Sequence, residues 1–156
     1  MATNNLHVLV YHLFPDGSAP PPTSTFNATA FTAWAETATF NAGEVIRFSN
    51  VITNIGDDYS NLISRYTCPI DGVYVFHVTL TTEDGEPMQG DIMLDDTVLV
   101  TAQGGADHIV SGSNTAVIAC NAGQQVWVEA KNDGDSMLGD NDNRFNAFSG
   151  FLVQPL

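Results

Sequence analysis

An alternation of apolar and polar side chains runs through most of the chain after residue 26, and it constrains the fold more than any other feature. Within residues 73–81, every second side chain is large and apolar: Tyr74, Phe76, Val78 and Leu80. Successive side chains of a strand point to opposite faces, so this segment predicts a strand that buries one face. The opposite face begins with valines and then becomes polar, which is typical of a half-buried strand.

Similar patterns recur along the chain with turn residues between them. Residues 92–94 and 98–100 flank Asp95-Asp96-Thr97 and predict a short hairpin. Residues 115–120 and 125–131 flank a second turn, and residues 145–153 predict the last strand. Residues 28–38 fit both a helical face and a strand, and we expect a strand because the surrounding segments are β. Many short strands separated by turns predict an all-β sandwich or jelly roll.

Charge excludes some partners of this 156-residue chain, whose length suits one domain. Four Lys and Arg face eighteen Asp and Glu, for a net charge of −14. An anionic body repels phosphate backbones and anionic lipid surfaces, so we expect no nucleic-acid partner. No apolar stretch is long enough for a membrane span, so we expect no membrane insertion. Divalent cations and neutral or cationic ligands remain open.

The first 25 residues differ from the rest and predict an N-terminal extension, with a globular domain over residues 26–156. The extension contains an apolar run at residues 6–14 and a Pro-rich linker at residues 16–24. No Lys or Arg precedes the apolar run, so it does not resemble a signal peptide. His7 and His12 are five residues apart on a presumed strand, so they face opposite sides and do not form a metal site together.

The two cysteines, Cys68 and Cys120, allow at most one internal bridge, and their surroundings do not resemble a zinc site. We expect buried free thiols, because cysteine is among the most buried residue types, and one bridge between the two is the alternative. The sequence has no nucleophile elbow, phosphate loop or dinucleotide motif. The acidic residues fall at turns, where a carboxyl stays solvated, so we predict no catalytic residue and no enzyme.

Four separated motifs resemble the C1q domain, the globular head of complement C1q and adiponectin. They are IRFSNVITNIGDDY at residues 46–59, RYTCPIDGVYVF at 65–76, the Gly123 to Val128 segment, and FSGFL at 148–152. The resemblance covers residues 28–156. It implies a C1q/TNF-like jelly-roll sandwich of about ten antiparallel strands that assembles as a homotrimer. Ser64 and Gln124 depart from the family pattern, which usually has glycine and an acidic residue there.

The motif glycines and aromatics have a physical interpretation alongside this resemblance. We expect Gly56 and Gly72 to serve turns with positive φ, where a side chain costs energy. The large aromatic residues are expected in the core or in subunit contacts. They are Tyr59, Tyr66, Tyr74, Phe76, Phe148 and Phe151.

The resemblance also implies a calcium site near the top of the trimer axis. The corresponding loop spans residues 103–108, in which Gln103 and Asp107 supply side-chain oxygens. An alternative is the Asp/Asn-rich loop that carries Asp140 and Asp142, since calcium takes six to eight oxygen ligands. That loop has no closing Glu and no flanking helices, so it is not an EF-hand. In both loops, ordinary solvated acids are the alternative interpretation.

These expectations lead to a functional hypothesis. The chain resembles secreted, non-catalytic recognition heads of innate immunity, which bind microbial surface glycans or lipopolysaccharide through carbohydrate-binding, sometimes calcium-dependent, loops. The alternative is a structural trimer in which residues 6–14 dock onto a neighbour. The sequence identifies no ligand-binding residue for either hypothesis.

Overall fold

The computed structural model describes residues 28–156, which form twelve strands. No helix in this part of the chain is long and apolar enough to cross a membrane. The predictions on the extension, the apolar run, the linker, His7, His12 and the domain start at residue 26 fall outside the described residues. The strands are β1 (Ala30–Ala35), β2 (Ala38–Phe40), β3 (Asn50–Ile55), β4 (Tyr59–Ser60), β5 (Arg65–Thr67), β6 (Gly72–Thr81), β7 (Met88–Leu94), β8 (Thr97–Gly104), β9 (Ser111–Cys120), β10 (Gln125–Ala130), β11 (Asp135–Met137) and β12 (Asn146–Pro155).

Ten strands form two five-stranded antiparallel sheets that enclose one core. The first sheet has the order β3-β1-β12-β6-β9, and the second has the order β4-β5-β10-β7-β8. The remaining strands, β2 and β11, pair with each other. Some consecutive strands, such as β9 and β10, lie in different sheets, whereas β7 and β8 are neighbours in the second sheet. This winding confirms the predicted jelly-roll sandwich of about ten antiparallel strands.

The predicted strands are present. Residues 73–81 lie in β6, the ambiguous segment 28–38 contains β1, and residues 145–153 overlap β12. The hairpin around Asp95 and Asp96 joins β7 to β8 in the second sheet. The alternation locates β6 and β12 directly, because each buries every second side chain along most of its length against the opposite sheet.

Aromatic side chains fill the space between the sheets. Phe31 stacks on Tyr59 with ring centroids 4.4 Å apart, and Phe148 meets Phe31 edge-on at 4.9 Å. Each buried aromatic contributes on the order of 2–3 kcal/mol. Of the six aromatics expected in the core or a subunit contact, Phe151 alone is exposed on the surface of the single chain.

The two glycines have different roles. Gly56 adopts φ 93° in the turn after β3, as expected. Gly72 does not have a positive φ, so that expectation is wrong. A Cβ at Gly72 would lie 2.5 Å from Leu152 Cδ1 and 2.9 Å from the Gln154 carbonyl oxygen. Glycine is needed there because β6 packs closely against β12.

The cysteines form a disulfide, so the expectation of free thiols is wrong. The Cα atoms of Cys68 and Cys120 are 6.5 Å apart, and the bridge joins the segment after β5 to the end of β9. Both cysteines are buried, as expected, but their proximity depends on strand register. Cys120 pairs with Gly72 across the first sheet, and Cys68 precedes Gly72 by four residues. The bridge therefore ties the two sheets together at one end of the sandwich.

Candidate functional site

Three loops meet at the end of the sandwich opposite the disulfide. They span residues 82–87, 105–110 and 138–145, and they adjoin strand ends that the register brings together. The Gly85 amide donates to the Ala106 carbonyl at 3.0 Å, and the Leu138 amide donates to the Thr81 carbonyl at 2.8 Å. We call this surface the acidic end. Its loops carry Glu83, Asp84, Glu86, Asp107, Asp140 and Asp142.

The two alternative metal loops of the sequence analysis both lie at the acidic end. Gln103 is exposed near the end of β8, and Asp107 is exposed in the following loop. Asp140 and Asp142 are exposed in the loop before β12. Sequence separation hides this arrangement, because the loops are brought together only when β6, β9 and β12 pair.

The carboxylate of Asp140 already closes its own loop. Its Oδ1 accepts the amide of Asn143 at 2.6 Å and the amide of Asp142 at 2.9 Å. These hydrogen bonds lower the pKa of Asp140, so the group stays ionised. Within residues 28–156 of a single chain, no three His, Cys, Asp or Glu side chains are grouped in a way that could hold a metal ion. A cation at the acidic end would therefore need further ligands, for example from neighbouring chains.

The outer face of the first sheet carries a row of apolar side chains, which we call the apolar row. Neighbouring strands bring Ile55, Ala30, Phe151, Val75 and Val117 into register across the sheet. Ile55, Phe151 and Val117 are 50%, 47% and 67% exposed. Exposed apolar surface of this kind usually marks a protein interface. Phe151 is expected either in the core or in a subunit contact. It is not in the core of the single chain, so the subunit contact stays as its predicted role.

Polar side chains continue this face towards the acidic end. His77 Nδ1 is 2.8 Å from the Thr115 hydroxyl, and its Nε2 is 3.2 Å from the Thr79 hydroxyl. In the next strand pair, the hydroxyls of Thr32 and Ser149 are 3.0 Å apart. These polar side chains therefore form hydrogen bonds with one another across neighbouring strands of this face.

The outer face of the second sheet has basic side chains that sequence reasoning missed. Arg47 and Arg65 line one cleft there, and the Arg65 guanidinium lies over the Trp127 ring. The one sequence signal for this cleft is the small number of basic residues, because the whole chain has only four Lys and Arg and each of them is therefore a candidate for a specific role. Two of the four, Arg47 and Arg65, lie together, although they are eighteen residues apart in the sequence and neither of the two motifs that carry them indicates a basic site.

Comparison with known proteins agrees with this architecture. The sequence profile of the C1q domain matches residues 30–153. Zebrafish (Danio rerio) Caprin-2 is 34% identical over 132 residues, which cover 80% of this chain and 14% of that protein. Complement C1q tumor necrosis factor-related protein 3 of Mus musculus is 31% identical over 130 residues, covering 80% of this chain and 50% of the relative. The chain thus spans half or less of these relatives.

Solved structures give the same result. The globular domain of zebrafish complement 1qA protein is 25% identical, with a TM-score of 0.64 over 83% of this chain and 99% of that one. Eiger TNF from S. frugiperda is 10% identical with a TM-score of 0.68, covering 84% and 96%, and this likeness shows the fold alone. Because the profile match spans well over half of the sequence, the chain belongs to the C1q domain family.

Proposed function

We propose that the chain is a homotrimeric recognition head that binds an extracellular ligand of the microbial surface glycan or lipopolysaccharide type, as in innate-immune pattern recognition. The domains of its family are non-enzymatic recognition or signalling domains. The observation that carries the proposal is the apolar row on a domain of this family. Weak binding by each head, multiplied over three heads, gives useful avidity without any reactive side chain.

The apolar row supports assembly with further copies of the same chain. Phe151 and Val117 lie on β12 and β9, two strands apart, so one neighbour can cover both in a single contact. Burying a half-exposed Phe and a Val contributes about 25 cal/mol per Å² of apolar surface removed from water. In a trimer, this face of one copy contacts a different surface of the next copy, and the same contact repeats three times around a closed ring.

Calcium at the acidic end belongs to the same proposal. Asp107 and Gln103 offer the hard oxygen ligands that calcium prefers, and three copies would supply the number that one chain lacks. Three carboxylates around an axis repel one another unless a cation lies between them. A bound cation would therefore hold the Asp107 loops together and neutralise part of the charge of the assembly.

An extracellular location is consistent with the disulfide. Disulfides persist in oxidising compartments and are rare in the cytosol. The Cys68–Cys120 bridge is buried at both cysteines, so it serves the fold rather than redox exchange. The proposal therefore assigns the chain to the secreted proteins.

A glycan and lipopolysaccharide array, probed with and without calcium, tests the ligand. We expect binding to a subset of microbial polysaccharides that weakens when a chelator is added. A trimer that binds no glycan and instead forms larger particles in scattering would contradict recognition and favour the structural alternative.

Thermal unfolding tests the cation directly. If subunits share calcium, excess chelator should lower the melting temperature by several degrees, because a ligand released from the native state no longer stabilises it. The matched variant Asp107→Asn should melt at the same temperature with and without chelator. An unchanged melt of the unmodified protein would remove calcium from the proposal.

A further inference from the structure

The outer face of the second sheet contains an open cleft in which two arginines lie. One part has a volume of about 370 Å³ and an adjoining part has about 270 Å³. Val45 and Arg47 line both parts, Glu44 lies at the first, and Arg65 and Gln125 close the second. The larger part lies within the range of small-molecule ligand sites, about 300–1,000 Å³. The cleft lies on the opposite sheet from the apolar row.

The charge of this cleft is opposite to that of the chain. The protein carries Arg47, Arg65, Lys131 and Arg144 as its only Lys and Arg, against eighteen acids. Within the described residues, the one ion pair is between Lys131 Nζ and Asp91 Oδ1, at 3.6 Å. Arg47 and Arg65 therefore lie in one cleft with no carboxylate of residues 28–156 within 4.0 Å. In so acidic a chain, two unneutralised guanidinium groups side by side point to an anion from outside.

Contacts within the chain orient both guanidinium groups. The Arg65 guanidinium carbon is 3.8 Å from the centroid of the Trp127 ring, and its Nη1 donates to Gln125 Oε1 at 3.2 Å. The ring is buried, and its Nε1 lies 3.3 Å from Glu129 Oε2. Arg47 Nη1 donates to the Leu62 carbonyl at 2.6 Å. A guanidinium has five N–H donors, so each arginine retains several for a ligand. Arginine that is fixed before binding loses less entropy when it binds.

The surroundings determine which anion fits. The planar guanidinium fork matches a carboxylate, which it binds with two parallel hydrogen bonds. A polyanion is disfavoured, because the chain carries −14 and Glu44 lies at the cleft. The two hydrogen bonds from Asn41 keep Glu44 ionised. Val45 and Ile63 offer apolar surface to a ring face, while the Gln125 amide offers hydrogen bonds to hydroxyls.

We propose that Arg47 and Arg65 bind the carboxylate of an acidic sugar, such as a uronic acid, in this cleft. The proposal rests on the proposed function, in that it takes the ligand to be a glycan and names the class of glycan and its site. The single carboxylate of such a sugar can accept hydrogen bonds from both arginines. The sugar hydroxyls can then contact Gln125, and the ring face can pack on Val45 and Ile63.

Isothermal titration with sodium D-glucuronate, D-glucose and acetate tests the site on the full chain. We expect glucuronate to bind measurably, and glucose and acetate to bind at least tenfold more weakly. Arg47→Gln and Arg65→Gln should each weaken glucuronate binding about tenfold or more, because each removes charge-assisted hydrogen bonds. Arg47 is exposed, so its substitution leaves the fold intact. Arg144→Gln is the matched control, since Arg144 also lies over a tryptophan, Trp34 at 5.4 Å.

Each other result overturns the proposal. Unchanged affinity for glucuronate in the Arg47 and Arg65 variants would show that the sugar binds elsewhere. If glucose binds as tightly as glucuronate, the carboxylate is not recognised. If acetate binds as tightly, the sugar ring is not recognised. No binding of glucuronate excludes the cleft as an acidic-sugar site. The glycan array separates this failure from failure of the recognition head. Array binding that survives both substitutions rejects the cleft alone, whereas arginine-dependent glucuronate binding without array binding rejects the microbial ligand alone.

Discussion

Ser64 is the residue at which the chain departs from its family in a way that has an energetic cost. It lies in the turn between β4 and β5 with φ 53°, in the left-handed region where glycine is favoured. The side chain is fully buried, and its hydroxyl lies near the Tyr59 phenol but makes no hydrogen bond of good geometry with any described residue. The nearby Tyr59 phenol instead donates to the Phe48 carbonyl at 2.8 Å. Ser64 thus combines backbone strain with an unsatisfied buried polar group.

We predict that Ser64→Gly stabilises the protein. The left-handed conformation costs a non-glycine residue about 1–2 kcal/mol, and an unsatisfied buried hydroxyl costs about 1–3 kcal/mol. Against this, glycine makes the unfolded chain more flexible, which costs about 0.5–1 kcal/mol. The net expectation is a gain of about 2 kcal/mol in the free energy of unfolding. For a chain of this length, that corresponds to roughly 4–8 °C in melting temperature.

Urea and thermal unfolding followed by circular dichroism measure the change, at one fixed protein concentration because assembly also stabilises. Ser64→Ala separates the two causes, since it removes the hydroxyl but keeps the Cβ. We expect alanine to give about half of the gain. Asp95→Gly is the matched control. Asp95 also has a positive φ, 48°, but its carboxylate accepts the Gln125 amide at 2.9 Å, so the variant should be destabilised.

The reasoning is refuted if Ser64→Gly is less stable than the unmodified protein. If Ser64→Ala alone is destabilised, the hydroxyl has a real hydrogen-bond partner and only the backbone half of the argument survives.

Three further predictions concern the disulfide, alkaline pH and salt. Replacing Cys68 and Cys120 with alanine should cost about 4 kcal/mol in urea unfolding, from the chain entropy of a loop with a sequence separation of 52, and a loss under about 1 kcal/mol would contradict this. Burial raises the pKa of Tyr59 from 10.0 to about 12, so the native state keeps a proton that the unfolded chain releases. The contribution of Tyr59 should be constant below about pH 9 and should fall above pH 10 by roughly 1.4 kcal/mol per pH unit. Burial also raises the pKa of Tyr66 and Tyr74, so stability should fall at least this steeply, and equal unfolding free energies at pH 9 and pH 11 would contradict it. Because each chain carries −14, the trimer without cations should dissociate more at about 10 mM salt than at about 150 mM, and identical sedimentation at both would count against this.

Strands such as β6 could be predicted from the sequence because burial of one face leaves an alternation of apolar and polar side chains in the sequence. The alternation of Tyr74, Phe76 and Val78 arises from one buried face, and the structure buries all three completely. The family motifs then supply the order in which strands wind. The local pattern and the global fold agree here, so the alternation and the family motifs together were sufficient to predict the fold.

What could not be predicted depends on pairs of distant segments. The disulfide joins residues separated by 52 positions, and Gly72 is required by the packing of Leu152 on the neighbouring strand. In the sequence, the acidic end consists of separate loops that look like alternative metal sites, because only strand pairing brings them to one end of the sandwich. The cleft was missed because Arg65 meets Trp127 across a sheet register that no local motif encodes.

Sedimentation equilibrium of the unmodified chain and two variants tests the central claim of self-assembly most directly. The account predicts a particle of three times 16.7 kDa, and dissociation to single chains in Val117→Glu, which puts a charge into the apolar row. Leu62→Glu is the control, because Leu62 is 82% exposed but lies in the β4–β5 turn of the other sheet, and it should remain trimeric. A 16.7 kDa particle at high concentration, or a Val117→Glu variant as trimeric as the unmodified chain, would contradict the account.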